Sequence, residues 1–213
     1  MRGWGIFVAV LLLAGCIPSG GGRPPPAPQA ASAGPDKATL QCFAGLTRDQ
    51  VRFRPLADRY FDNGCTAIGA VQLLEIGTPV TNLGSMTCPL ARAFAEWVRQ
   101  AVQPAAAAWL GSKVARIESL GTYSCRSVNG QPGARLSEHG HANAVDVAAF
   151  VLADGRRVTV LSGWNGADED ERRFLRAVHS AGCRRFQVVL GPDSNALHRD
   201  HLHLDLGAGP YCR

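Results

Sequence analysis

The sequence predicts an α+β domain: a small, mainly antiparallel sheet flanked by helices, stapled by disulfides and carrying a metal site on the sheet. Three observations lead there. Strand-like and helix-like patterns are mixed along the chain, without the repeated strand–helix–strand units of a parallel sheet. Seven cysteines follow or close an apolar leader, which points to an oxidising compartment. Of the six histidines, four lie within 139–141 and 201–203, with His198 just before the second group.

The leader comes first. Arg2 supplies positive charge and residues 6–13 are apolar, a run too short for a confident bilayer-spanning helix. It ends in Leu13-Ala14-Gly15-Cys16, which resembles a bacterial lipobox. Residues 1–15 then read as a lipoprotein signal peptide, cut so that Cys16 carries the lipid. Each buried acyl methylene contributes about 0.8 kcal/mol, so a multiply acylated cysteine anchors stably to a membrane. Ile17 rather than Asp follows Cys16, which points to a periplasm-facing anchor on an outer membrane. The remainder of 16–36 is rich in Pro, Gly, Ala and Ser. It has too little apolar surface to offset the entropy of ordering it and is expected to be a tether.

Residues 37–213 are of a size for one domain. Beyond Cys16 the cysteines are Cys42, Cys65, Cys88, Cys125, Cys183 and Cys212. An even number suggests disulfides, and the sequence does not choose among their pairings. None of the six lie at the close spacing of zinc knuckles. The net charge of +5 is modest and spread out; with no nucleic-acid motif, a nucleic-acid partner is not expected.

Residues 58–75 read as short strands or turns. In 89–102, Pro89 suits a first helical turn, and Leu90, Ala93, Phe94, Trp97 and Val98 share one face. Residues 105–110 read as a second short helix. Residues 114–120 alternate as a half-buried strand does, and 122–137 form a loop marked by Gly130, Pro132 and Gly133. Residues 144–152 and 157–161 flank Ala153-Asp154-Gly155 as a β-hairpin. Residues 168–181 have acidic residues in the first turn and Phe174, Leu175 and Val178 on one face, so they predict a helix ending at Gly182. Strands are expected at 186–190 and, last, 201–206.

The chemistry concentrates in 137–146 and 198–205. Asp146 lies between Val145 and Val147 in an apolar strand and faces away from both. A carboxylate pushed into a packed sheet requires a partner. His201, His203 and Asp205 share one strand face, opposite Leu202, Leu204 and Leu206. Histidines at that spacing reach one point from a rigid element. Two imidazoles and one carboxylate suit a catalytic zinc ion better than a structural one, because structural sites are usually closed by four ligands.

Two patterns carry a family resemblance. Ser137-x-His139 with Asp146, followed by His201-Leu202-His203, resembles the lysostaphin, D-Ala-D-Ala peptidase and hedgehog group of zinc folds. More closely, residues 40–213 resemble the extensin-like C-terminal domain family of bacterial envelope proteins. Cys88-Pro89-Leu90, Tyr123-Ser124-Cys125-Arg126 and the whole of 137–146 support this. The resemblance implies one zinc ion held by His139, Asp146 and His203, with His201 as the active-site histidine. His198 matches a further histidine of the murein endopeptidases that carry His-x-x-His-x-His. Arg126 would hold a substrate carboxylate, and Ser137 would contact substrate or fix its loop. His141 is expected in the loop, and Glu138 is a weaker alternative base. Related peptidases have Gly where this chain has Ala142. They also carry an acidic base upstream of the last histidine, where this chain offers His198, Asp200 and His201. The implied function is a zinc peptidase or amidase acting on peptidoglycan peptide stems; the alternative is a wall- or protein-binding module that keeps a structural metal.

Overall fold

The computed structural model describes Met1 and residues 34–213. The expected signal peptide beyond Met1, the lipidated Cys16 and most of the tether lie outside the described residues. Asp36, assigned above to the tether, instead starts the domain. Its carboxylate accepts from the Thr39 backbone N–H at 2.7 Å and caps α1, Lys37–Arg48. The helix buries Gly45 and Leu46 and rests Cys42 and Phe43 against the core.

Short strands follow. β1 (Arg52–Pro55), β4 (Ala70–Glu75) and β6 (Met86–Thr87) form an antiparallel sheet in the order β1-β4-β6. β2 (Arg59–Tyr60) and β3 (Thr66–Ala67) make a separate ribbon. β5, Val80–Thr81, joins the main sheet. Cys88 opens α2, Cys88–Trp97, whose cap is the Thr87 hydroxyl. The helix does not stop where expected. It runs on through π-helical turns at Val98–Val102 and Ala106–Leu110, joined by α3, Gln103–Ala105, and ends at Gly111 in left-handed conformation.

The main sheet has seven strands. β8 (Ala144–Leu152) pairs along one side with β7 (Val114–Gly121). Along its other side, β11 (Leu202–Asp205) takes residues 144–147 and β9 (Arg157–Thr159) takes 149–151. β10 (Val188–Leu190) lies outside β11, and β12 (Tyr211–Cys212) runs parallel to β10 at the edge. The sheet is thus mainly antiparallel, with parallel pairings at β5–β7 and β10–β12. The last strand is therefore β12 and not the one at 202–205.

Two boundaries differ from expectation. The strand expected through Leu161 ends at Thr159, whose hydroxyl accepts from the Ser162 N–H at 3.0 Å and starts α4, Val160–Gly163. Gly182 does not end the second amphipathic helix; α5 runs Glu169–Cys183, capped by Asp168. Gly182 instead sits at a close approach, where a Cβ would lie 3.3 Å from the Leu204 side chain.

One face of the sheet packs on α2 and α5. Val145, Val147, Phe150, Val189, Leu202 and Leu204 meet Phe94, Trp97, Phe174 and Val178 in one buried cluster. The Trp97 indole N–H donates to the Val178 carbonyl at 2.9 Å, so the large ring leaves no buried donor unpaired. Disulfides join Cys42 to Cys88, Cys65 to Cys125 and Cys183 to Cys212. Among the described residues no helix is long and apolar enough to cross a membrane.

Leu204 is fully buried between sheet and α5. Leu204→Ala should therefore cost about 2–5 kcal/mol of stability, read as a lower urea midpoint with an unchanged slope.

Candidate metal centre

Strand pairing builds the centre. β8 and β11 are in antiparallel register, with Asp146 directly opposite His203, and Val145 and Val147 opposite Leu204 and Leu202. The four apolar residues turn into the core. Side-chain alternation therefore puts Asp146 and His203 together on the opposite face.

His139 arrives on a different element. Residues Glu138–His141 form a single 3-10 turn, opened by the Ser137 hydroxyl accepting from the His139 N–H at 3.4 Å. The turn closes at Ala142, which has φ 53°. That is the left-handed region, where a side chain costs about 1–2 kcal/mol and glycine does not. The Cys65–Cys125 disulfide backs the turn, and a Cβ on Gly140 would lie 3.0 Å from the Cys65 sulfur.

The three side chains converge. His139 Nε2 lies 3.1 Å from Asp146 Oδ2 and 3.1 Å from His203 Nδ1, and His203 Nδ1 lies 2.9 Å from Asp146 Oδ1. All three residues are less than a tenth exposed: 3%, 8% and 7% for His139, Asp146 and His203. The outer ring nitrogens decide what the inner ones can do. His139 Nδ1–H donates to the Thr122 carbonyl at 2.8 Å, and His203 Nε2–H donates to Asp205 Oδ2 at 2.7 Å. In neutral rings this leaves a lone pair on each inner nitrogen, aimed at its counterpart and at a carboxylate. Acceptors brought this close require a cation or a proton among them.

Without a metal, a proton serves. Burial opposes charge on His203, but hydrogen bonds and attraction from Asp146 and Asp205 raise its pKa to about 9. Burial also opposes charge on Asp146, yet hydrogen bonds from His139 and His203 hold its carboxyl well below the usual range. A divalent ion fits the same donors: two imidazole nitrogens, one carboxylate, and outer acceptors that fix both rings.

The other expected residues surround this group unequally. His201 Nε2 lies 3.7 Å from Asp146 Oδ1, and its Nδ1–H donates to Asp200 Oδ1 at 2.9 Å. His198 lies beside it, its ring tilted at 53° to His201 with centroids 5.1 Å apart and edge-on to His203 at 5.8 Å. Burial, with the nearby His201 and His203 charges, lowers the His198 pKa to about 4. His198 Nδ1–H donates to Asn195 Oδ1 at 2.9 Å. Arg126 is exposed. Ser137 is buried and occupied as the cap of the His139 turn. His141 points elsewhere, 3.1 Å from the Thr66 hydroxyl. Glu138 accepts from the Asn143 amide at 2.8 Å instead of joining the group.

Three groups that orient the imidazoles carry little signal in the sequence. Asp205 was visible only as a residue on the His203 face. Asp200 stands among the residues offered where related sequences carry an acidic base, and here it orients the His201 ring; the Thr122 carbonyl is backbone, which no residue type announces.

Fold and site together define a disulfide-bonded α+β domain with a buried, three-residue candidate metal centre. A family model described as the extensin-like protein C-terminus matches residues 40–213. The chain belongs to the extensin-like family. No curated protein and no solved structure matches it.

Two outcomes follow for metal titration. Zinc must displace the His203 proton, so apparent affinity should rise about tenfold per pH unit below about 9 and level off above it. Calorimetric titration at several pH values reads this, and a flat profile from about pH 6 to about pH 8 contradicts it. Asp205→Asn should weaken zinc binding roughly 10–100-fold while Asp146 and His203 remain in place.

Proposed function

We propose that this domain is a zinc-dependent peptidase or amidase acting on the peptide stems of peptidoglycan, of carboxypeptidase or endopeptidase type. It would be held by lipid at Cys16 to the periplasmic face of the outer membrane. The wider likeness to the lysostaphin, D-Ala-D-Ala peptidase and hedgehog zinc folds belongs to this proposal. The observation that carries it is the convergence of His139 Nε2, Asp146 and His203 Nδ1 with His201 alongside. Three ligands are the number found at catalytic zinc sites, where one position serves water or substrate.

His139, Asp146 and His203 would hold the ion. Zinc supplies Lewis acidity and lowers the pKa of water. The protein supplies proton handling and orientation. Asp200 fixes the His201 ring through Nδ1–H and leaves Nε2 turned toward Asp146. An imidazole so placed can accept a proton and return it to a leaving amine. His198, kept neutral by burial and neighbouring charge, adds a ring wall without adding charge. Arg126 is exposed and can pair with a substrate carboxylate.

A second reading is a non-catalytic wall- or protein-binding module with a structural metal. The depth of the three ligand residues favours it, since a large substrate must reach a nearly closed group. Fold alone does not choose between the readings.

Purified muropeptides digested with zinc-loaded protein and followed by mass spectrometry should yield new peptide products. His201→Ala should slow that cleavage about 10²–10⁴-fold while zinc binding persists. No product from several wall types, with full rescue of deletion cells by His201→Ala, would leave the binding module as the function.

A further inference from the structure

A second cluster lies at the far end of α5. His179 and Cys183 are four residues apart on that helix and so share a face. Cys212, on the edge strand β12, closes the group through its disulfide to Cys183. The ligand atoms of these three residues lie within 4.8 Å of one another. The imidazole is already oriented. His179 Nε2–H donates to the Arg213 backbone oxygen at 3.1 Å, and the Trp164 ring meets it edge-on at 5.3 Å between centroids. That leaves the Nδ1 lone pair facing the Cys183 sulfur at 3.9 Å. In the disulfide that sulfur has no proton to donate, so the lone pair has no strong partner there.

We propose that Cys183, Cys212 and His179 form a redox-gated site that captures a thiophilic divalent ion such as zinc once the disulfide is reduced. A dithiol cleaves the Cys183–Cys212 bond, giving two thiols and becoming a disulfide itself. Each thiol then loses a proton to solvent as its sulfur binds the ion. His179 Nδ1 supplies the third contact, and a water completes four.

Access and geometry support this. Cys212 is exposed, whereas Cys65 and Cys88, one in each of the other two bridges, are fully buried. A dithiol therefore reaches the Cys183–Cys212 bond first. Zinc–sulfur contacts of about 2.3 Å place two thiolates about 3.7 Å apart, so the sulfurs must separate. The two-residue edge strand β12 can yield, being held by backbone bonds such as Tyr211 N–H to the Gln187 carbonyl and Arg213 N–H to the Val189 carbonyl. Burial also holds His179 below its ordinary pKa, which favours the neutral ring that a metal needs.

Cobalt(II) provides the test, because thiolate ligation gives a charge-transfer band that the nitrogen-and-oxygen centre at His139 does not. The whole domain is treated with dithiothreitol and desalted without oxygen, and alkylation mapping identifies the freed cysteines. Cysteines 183 and 212 alone should be free, near-ultraviolet circular dichroism should match the oxidised protein, and cobalt should then raise the band. The band should be absent from oxidised protein and from Cys212→Ser. His179→Ala, which keeps every disulfide, should weaken cobalt binding to the reduced protein at least about tenfold. Absence of the band in reduced wild type, loss of tertiary signal on reduction, or unchanged affinity in His179→Ala each overturns the proposal.

Discussion

The register between two strands governs this molecule. Asp146 and His203 face each other across β8 and β11, while their neighbours Val145, Val147, Leu202 and Leu204 enter the core. Side chains alternate with a period of two, so a slip of one residue would exchange the two sets. The core and the candidate centre are therefore specified by the same hydrogen-bond ladder. Packing that holds Leu204 against Gly182 also holds His203, one residue away, at its place beside Asp146.

Burial makes that arrangement electrostatically demanding. Two imidazoles and a carboxylate with little solvent cannot remain as bare acceptors. The surroundings answer in part: the Thr122 carbonyl and Asp205 each take an outer ring proton, fixing tautomer and ring angle. What remains is a pocket of negative potential matched to a proton or to a metal ion, competing for one place. The strain at Ala142 and the tight fit of Gly140 over Cys65 show that the His139 turn is held by its surroundings. The Cys65–Cys125 disulfide joins the 59–67 ribbon to the loop after β7, and the His139 turn packs on its Cys65 sulfur.

Much of this was legible from residues alone, and the gaps have physical causes. The central strand 144–152 is readable to the residue because, Asp146 apart, it is apolar on both faces and is followed by turn residues. The amphipathic helix α5 was readable from its period and acidic start, but its end was not. Gly182 looks like a terminator and acts as a contact point, a role set by Leu204 from the facing strand. The short strands β1, β5, β6 and β12 have too few residues to imprint a period. They exist because neighbouring backbone is there to pair with or pack on. Two-residue strands such as β12 are properties of the sheet edge.

The sequence by itself determined the α+β character, the even set of cysteines outside the leader, and the two segments in which histidine and aspartate are concentrated. These are local properties: periodicity, composition and spacing. Only the tertiary structure decided which cysteines join and that Asp146 sits in register opposite His203 with His139 brought over them by a separate turn. It also decided that Asp205, Asp200 and a backbone carbonyl orient the imidazoles. Such relations join residues far apart in the chain, and their geometry is fixed by strand register and core packing, which no single segment encodes.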